Sequence, residues 1–201
     1  MSSAPDKSPA ESIITVSQQW LDRMVIGLNL CPFARPVREQ QRIGWQVSQA
    51  RSAAELAEDL WHALDELARS PRERCETLIL IHPWVLNDFE DYNDFLGLAD
   101  ELLDEAGHWG TLQIASFHPD YCFADSPPDD PANYSNRSPY PMLHLLREDS
   151  IAETGISEAQ SAALSRRNID RLRHLGLQGI QARLEHDEIR FVSNPNQQDT
   201  P

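Results

Sequence analysis

Cysteine is scarce in this chain of 201 residues, and the three present, Cys31, Cys75 and Cys122, form no CxxC pair. An odd, widely spaced set supports neither a disulfide framework nor a zinc knuckle, and free thiols suit a reducing compartment. Positive charge is also short: 17 basic residues against 32 acidic ones give a formal net charge of −15. Such a chain repels polyanions, so general binding to nucleic acid or to an anionic membrane is not expected, although a local basic patch is compatible with the total. Any run of about 18 apolar residues is missing too, and Met1 to Ser12 carries no basic stretch followed by an apolar one. The expectation is therefore a soluble cytoplasmic protein with neither a membrane span nor an export signal. No GxGxxG, Walker A, HExxH or GxSxG motif occurs. That removes the common nucleotide, zinc-protease and serine-hydrolase signatures, and no cofactor is named by the sequence.

What is present organises into one domain. The length suits a single core, with residues 1–11 read as a flexible N-terminal tail, 12–193 as the domain and 194–201 as a flexible C-terminal tail. Capping signals place the helices. Ser8-Pro9-Ala10-Glu11 is a capping box with proline at the first helical position, followed on one face by Ile13, Val16, Trp20, Met24 and Leu28. That helix is predicted to run to about Asn29, since Pro32 and Pro36 oppose continuation. Ser52 to Glu55 opens a second helix with Leu56, Leu60, Leu64 and Leu67 on one face. Asn87, with Glu90 after it, opens a third that Gly107 stops, and Ser157 with Gln160 opens a last one ending before Gly176. Alternation over Ile43 to Ser48 predicts a half-buried strand, the unbroken apolar run Leu78–Ile81 reads as a strand covered on both faces, and Leu112–Phe117 is read as the third strand. Residues 179–192 are open to one or two further strands.

Strand–helix–strand–helix–strand order predicts an α/β fold: a small, largely parallel sheet of three to five strands flanked by helices. A long proline-rich loop follows the third strand, since Pro119 to Pro141 holds six of the fourteen prolines. In such a sheet, ligands bind past the carboxyl ends of the strands. Two histidines are delivered there, His82 in His82-Pro83-Trp84 and His118 in His118-Pro119-Asp120-Tyr121. Each is either a general base or metal ligand, or a strand-end cap bonded to a backbone carbonyl.

The proline-rich segment gathers Tyr121, Asn133, Asn136 and Arg137, a set able to grip and orient a small anion, with Arg137 alternatively neutralising Asp129 or Asp130. His144 and Arg147 share a face if residues 141–149 form a helical turn. Cys31, just past the first helix, is either a buried structural thiol or a nucleophile needing a nearby cation. Arg166, Arg167, Arg171 and Arg173 on the last helix either pair with surrounding carboxylates or bind an anion.

These stretches carry a resemblance. Val25-Ile26-Gly27-Leu28-Asn29-Leu30-Cys31-Pro32-Phe33-Ala34, Ser116-Phe117-His118-Pro119, and Asn133 to Pro141 with His144 to Arg147 resemble the bacterial "domain of unknown function 1415" family over roughly residues 12–180. The resemblance implies the extent of the domain and brings no activity with it.

Three readings of function follow. The leading one is an enzyme acting on a small anionic substrate, with His118, Cys31 and His144 catalytic and Asn133, Asn136, Arg137, Arg147 and Tyr121 binding substrate. The second is a metal-binding protein using Cys31, His82, His118 and His144. The third is a non-catalytic domain that meets a partner through the aromatic, proline-rich loop.

Overall fold

A computed structural model describes residues 8–185 together with Ile189 and Phe191. The expected C-terminal tail, and most of 186–193, lie outside the described residues, as do residues 1–7. The chain enters through α1 (Pro9–Trp20), where the Ser8 side chain accepts from the Glu11 N–H and Glu11 returns the bond to the Ser8 N–H. The helix then widens without a break into a π-helix over Leu21–Ile26. It ends at Gly27, where a Cβ would lie 2.3 Å from the Arg23 carbonyl oxygen, so a side chain there has no room. A short helix, α2 (Ala34–Glu39), follows; Pro36 is tolerated in its first turn because no intrahelical N–H is needed there. The bidentate Arg38–Asp22 pair, at 3.1 Å for both contacts, ties α2 back to the π-helix.

The sheet contains β1 (Ile43–Val47), β2 (Thr77–Ile81), β3 (Leu112–Phe117) and β4 (Met142–Arg147) in the order β1-β2-β4-β3. Between the strands run α3 (Ala53–Arg69) and α4 (Phe89–Glu105), the latter capped by Asp88 and not by Asn87. Only β1 and β2 are parallel; β4 is antiparallel to both β2 and β3. The sheet is therefore mostly antiparallel, which corrects the expectation of a largely parallel one. The cause is β4. Residues 141–149 are not a helical turn: Met142–Arg147 is a strand between two others, and because both its faces are covered its apolar run shows no clean alternation.

The last two helices among the described residues are α5 (Glu148–Ala152) and α6 (Glu158–Glu185). At Gly176, the expected stop, the backbone leaves helical geometry (φ 69°, ψ 169°), yet the helix resumes as far as Glu185. Residues 179–185 are thus helix, and no strand forms there. Among the described residues no helix is long and apolar enough to cross a membrane.

Two hydrophobic clusters cover the two sheet faces. Leu78, Leu80, Leu143 and Leu145 pack with α3 and α4, while Ile79, Ile81 and Met142 pack with α1, the π-helix and α6. Arg171 and Arg167 donate to the carbonyls of Leu28 and Asn29, and Asn168 donates to that of Leu30 at 2.7 Å. Two guanidiniums and an amide thereby satisfy carbonyls of the turn that follows the π-helix, whose own last carbonyls accept the N–H groups of Leu28, Asn29 and Leu30. Arg173 pairs with Asp130 at 2.7 Å.

Candidate functional site

At the rim past β2 and β3 the backbone engages both histidines. The His82 Nδ1–H donates to the Val85 carbonyl at 3.0 Å, and the ring stacks on Tyr92 with centroids 5.7 Å apart. His118 accepts the Asp120 N–H on Nδ1 at 3.0 Å, which leaves Nε2–H to donate to the Leu86 carbonyl at 3.2 Å. Both are fully buried. Burial lowers each pKa to about 4, so both rings are neutral near pH 7. Only His82 Nε2 is without a partner in this pair.

The segment from His118 to Pro141 includes a 3-10 helix, Pro131–Ser135. Arg137 lies over Tyr134 at 4.9 Å and donates to the carbonyls of Tyr121 (3.0 Å) and Pro128 (2.7 Å). Asn133, fully buried, donates to the Pro127 carbonyl at 2.9 Å and accepts the Phe123 N–H at 3.2 Å. Asn136 donates to the Ser116 carbonyl at 3.1 Å. Tyr121 packs edgewise on Phe123 and beside Phe89, with centroids 5.0 and 5.2 Å away. The side chains of Asn133, Asn136 and Arg137 thus close the segment on itself and on β3, while Asp130 ties it to Arg173 of α6 and the Arg137 carbonyl receives the Trp20 Nε1–H.

The other sheet face is different. Beneath the π-helix and α2 lies a cavity of about 450 Å³, within the range of small-molecule sites. Thr77, Ile79, Ala115, Phe117, Met142, His144 and Leu146 make its floor; Trp20, Leu21, Val25, Cys31, Phe33 and Val37 make its roof. It exists because the wide, irregular π-helix does not follow the sheet as a regular amphipathic helix does, and such segments recur at functional sites.

The strand register gives the cavity two ends. Met142 lies opposite Phe117, and Trp20 closes that end with its ring 5.4 Å from Phe117 and its Nε1–H on the Arg137 carbonyl at 2.9 Å. At the other end Thr77 faces Leu146, and Arg42, Arg72, Glu76 and Ser150 follow. From Met142 to Arg147 is about 17 Å of strand at ~3.3 Å per residue. Glu76, its side chain 8% exposed, receives Arg42 at 2.9 Å and Arg72 at 3.2 Å. Burial works to raise its carboxyl pKa, but the Ser150 hydroxyl and the two guanidiniums outweigh it and hold the group below its ordinary value.

His144 lies midway along the floor, opposite Ile79 and Ala115. Thr77 Oγ1 is 2.5 Å from the Leu145 carbonyl and 2.7 Å from His144 Nε2. The single hydroxyl proton goes to the carbonyl, so His144 donates through Nε2–H and keeps its lone pair on Nδ1. Burial lowers this ring's pKa to about 4 as well. Cys31 is pushed the opposite way: burial raises its thiol pKa, and the Phe33 and Ala34 N–H groups offset only part of the rise.

Of the residues singled out from the sequence, this cavity brings together Cys31, His144 and Arg147. His118, His82, Arg137, Asn133, Asn136 and Tyr121 do not line it. His144 and Arg147 do not share a face, because three residues along a strand reverse the side chain. Arg147 instead donates from Nη2 to the carbonyls of Leu67, Ser70 and Cys75 at 2.6, 2.6 and 3.2 Å, closing the end of α3. Among the described residues no three of His, Cys, Asp and Glu are grouped to hold a metal, so Cys31, His82, His118 and His144 do not form one coordination sphere.

Arg42, Arg72, Glu76 and Thr77 were missed by reading the sequence. Their one signal was charged residues set immediately before strands, which reads as ordinary solvated surface.

No curated protein and no solved structure matches the chain. A family described as "Protein of unknown function (DUF1415)" matches residues 12–182, which take in the whole sheet and every wall of the cavity. The chain belongs to the DUF1415 family.

Proposed function

We propose that this protein takes a small, mainly apolar molecule into the cavity between the sheet and the π-helix. The single observation that carries the reading is the cavity itself: about 450 Å³ lined chiefly by aliphatic and aromatic side chains, with a few convergent polar groups. Binding would stabilise the native state by mass action. The test is calorimetric titration with decan-1-ol, alongside the shift it produces in thermal unfolding. The expected result is saturable binding that Ala115→Phe, which fills the floor, abolishes while near-ultraviolet circular dichroism stays native. Absence of binding to the unaltered protein would end the reading.

A catalytic version has its own support in His144. A neutral imidazole fixed by Thr77, with its lone pair on Nδ1, is suited to accept a proton from a bound molecule. In this version Cys31 remains a thiol that packs against the ligand, since its raised pKa opposes nucleophilic use. The anionic substrate expected from the sequence is then recognised at the Arg42–Arg72 end and not by Arg137. His118, Asn133, Asn136, Arg137 and Tyr121 shape the rim that carries Trp20, and Arg147 braces α3.

A further inference from the structure

We infer that the molecule held in the cavity is an amphiphile with a single carboxylate, and that Glu153 holds the place of that carboxylate on Arg72 when the cavity is empty. The inference rests on the cavity being a ligand site and adds the identity of the ligand's head.

Its first support is the asymmetry of the cavity. The end at Trp20 and Met142 is buried and apolar, with exposures of 2% and 0%. At the opposite end the side chains of Arg42 and Arg72 are 23% and 36% exposed, so water meets the cavity there. A ligand with a long apolar body must leave its head at that end. Among the charged side chains that line the cavity, the balance is inverted relative to a chain of net charge −15: Arg42, Arg72 and Arg147 face the single lining carboxylate of Glu76, and Glu153 meets Arg72 from outside the lining. Guanidinium groups in such a setting bind carboxylates in two-pronged fashion.

The second support is the partner Arg72 already has. Beyond Glu76, it holds Glu153 through two contacts, Nη1–Oε1 at 2.7 Å and Nη2–Oε2 at 2.9 Å. Glu153 follows α5 directly, and α5 supplies Ser150 and Ile151 to the cavity wall. Its side chain is 63% exposed and has no buried interaction to lose. The two-pronged contact with Glu153 is the geometry a ligand carboxylate would make, and an exposed side chain leaves it at little cost. Glu76, buried and held by two arginines, stays. Exchange of one carboxylate for another conserves charge, so ligand arrival frees Glu153 and with it the α5 side of the opening.

The test compares decanoate with decan-1-ol in the unaltered protein, in Glu153→Gln and in Arg72→Gln, by calorimetry at neutral pH. Decanoate should bind the unaltered protein about tenfold more tightly than decan-1-ol, one charge-assisted contact being worth at least that factor. Glu153→Gln should tighten decanoate several-fold and leave decan-1-ol unchanged; because Glu153 is exposed, this variant folds normally. Arg72→Gln should bring decanoate down to the level of the alcohol. Equal affinities for acid and alcohol in both the unaltered protein and Glu153→Gln overturn the head-group inference while the cavity reading stands. Failure of both probes to bind anywhere overturns both.

Discussion

The two faces of the sheet use the same kinds of side chain and pack to different ends. On one, Leu78, Leu80, Leu143 and Leu145 lie 2% exposed or less against α3 and α4, two regular helices of 17 residues each. On the other, α1 gives way to a π-helix and a short α2, and a void of about 450 Å³ is left over the floor residues. Close packing depends on side chains arriving at matched spacing, and a helix that changes its winding over six residues cannot keep that match. A stability core and a cavity are thus back to back on the same strands.

Acid should separate the two sides most strongly. His82, His118 and His144 are held neutral in the native state with pKa values of about 4, whereas an unfolded histidine takes up its proton near 6.5. Between those values the unfolded chain binds protons that the native state refuses, so stability is expected to fall as pH drops from about 6.5 to about 4, by ~1.4 kcal/mol per pH unit for each histidine. The lowered carboxyl of Glu76 adds its own loss only at the acid end of that window. Urea unfolding at several pH values measures the slope. His144→Gln, on the cavity side, should remove about one third of it; an unchanged slope means that ring is already hydrated through the cavity.

Truncation tests the same contrast by volume. Leu143→Ala, on the sealed face, should cost about 2–5 kcal/mol, and Leu146→Ala, which only enlarges an existing void, less than about 2 kcal/mol. Equal costs in chemical denaturation would dissolve the distinction between the faces.

The smallest expected effect concerns the rim. Arg137→Ala should lose about 1–2 kcal/mol of stability through its two carbonyl partners and leave the affinity for decanoate unchanged. A loss of affinity of about tenfold or more would return the proline-rich segment to the binding site.

Local features were legible in the sequence where one interaction decided them. The Ser8–Glu11 and Ser157–Gln160 boxes form as their spacing requires, and the apolar run before Ile81 is a strand covered on both sides. What failed was inference from order to topology. Three strands separated by helices imply a parallel sheet only if nothing is inserted later, and β4, whose six residues suit either a buried strand or a helical turn, is inserted. The site suffered for a related reason. Polar residues crowded in sequence between His118 and Pro141 satisfy one another's backbone, whereas Arg42, Arg72, Thr77 and His144 are dispersed and meet only through the sheet register and the turns beside it.

The place of β4 bears on how the chain assembles. Among the described residues β3 has one ladder, and that ladder is with β4. During synthesis β1 and β2 are able to zip together as soon as α3 has formed, but β3 emerges with no neighbour until residues 142–147 have left the ribosome. A nascent chain stalled between these points carries an orphan hydrophobic edge, and it is in that interval that a chaperone, or another copy in the same state, finds its opportunity.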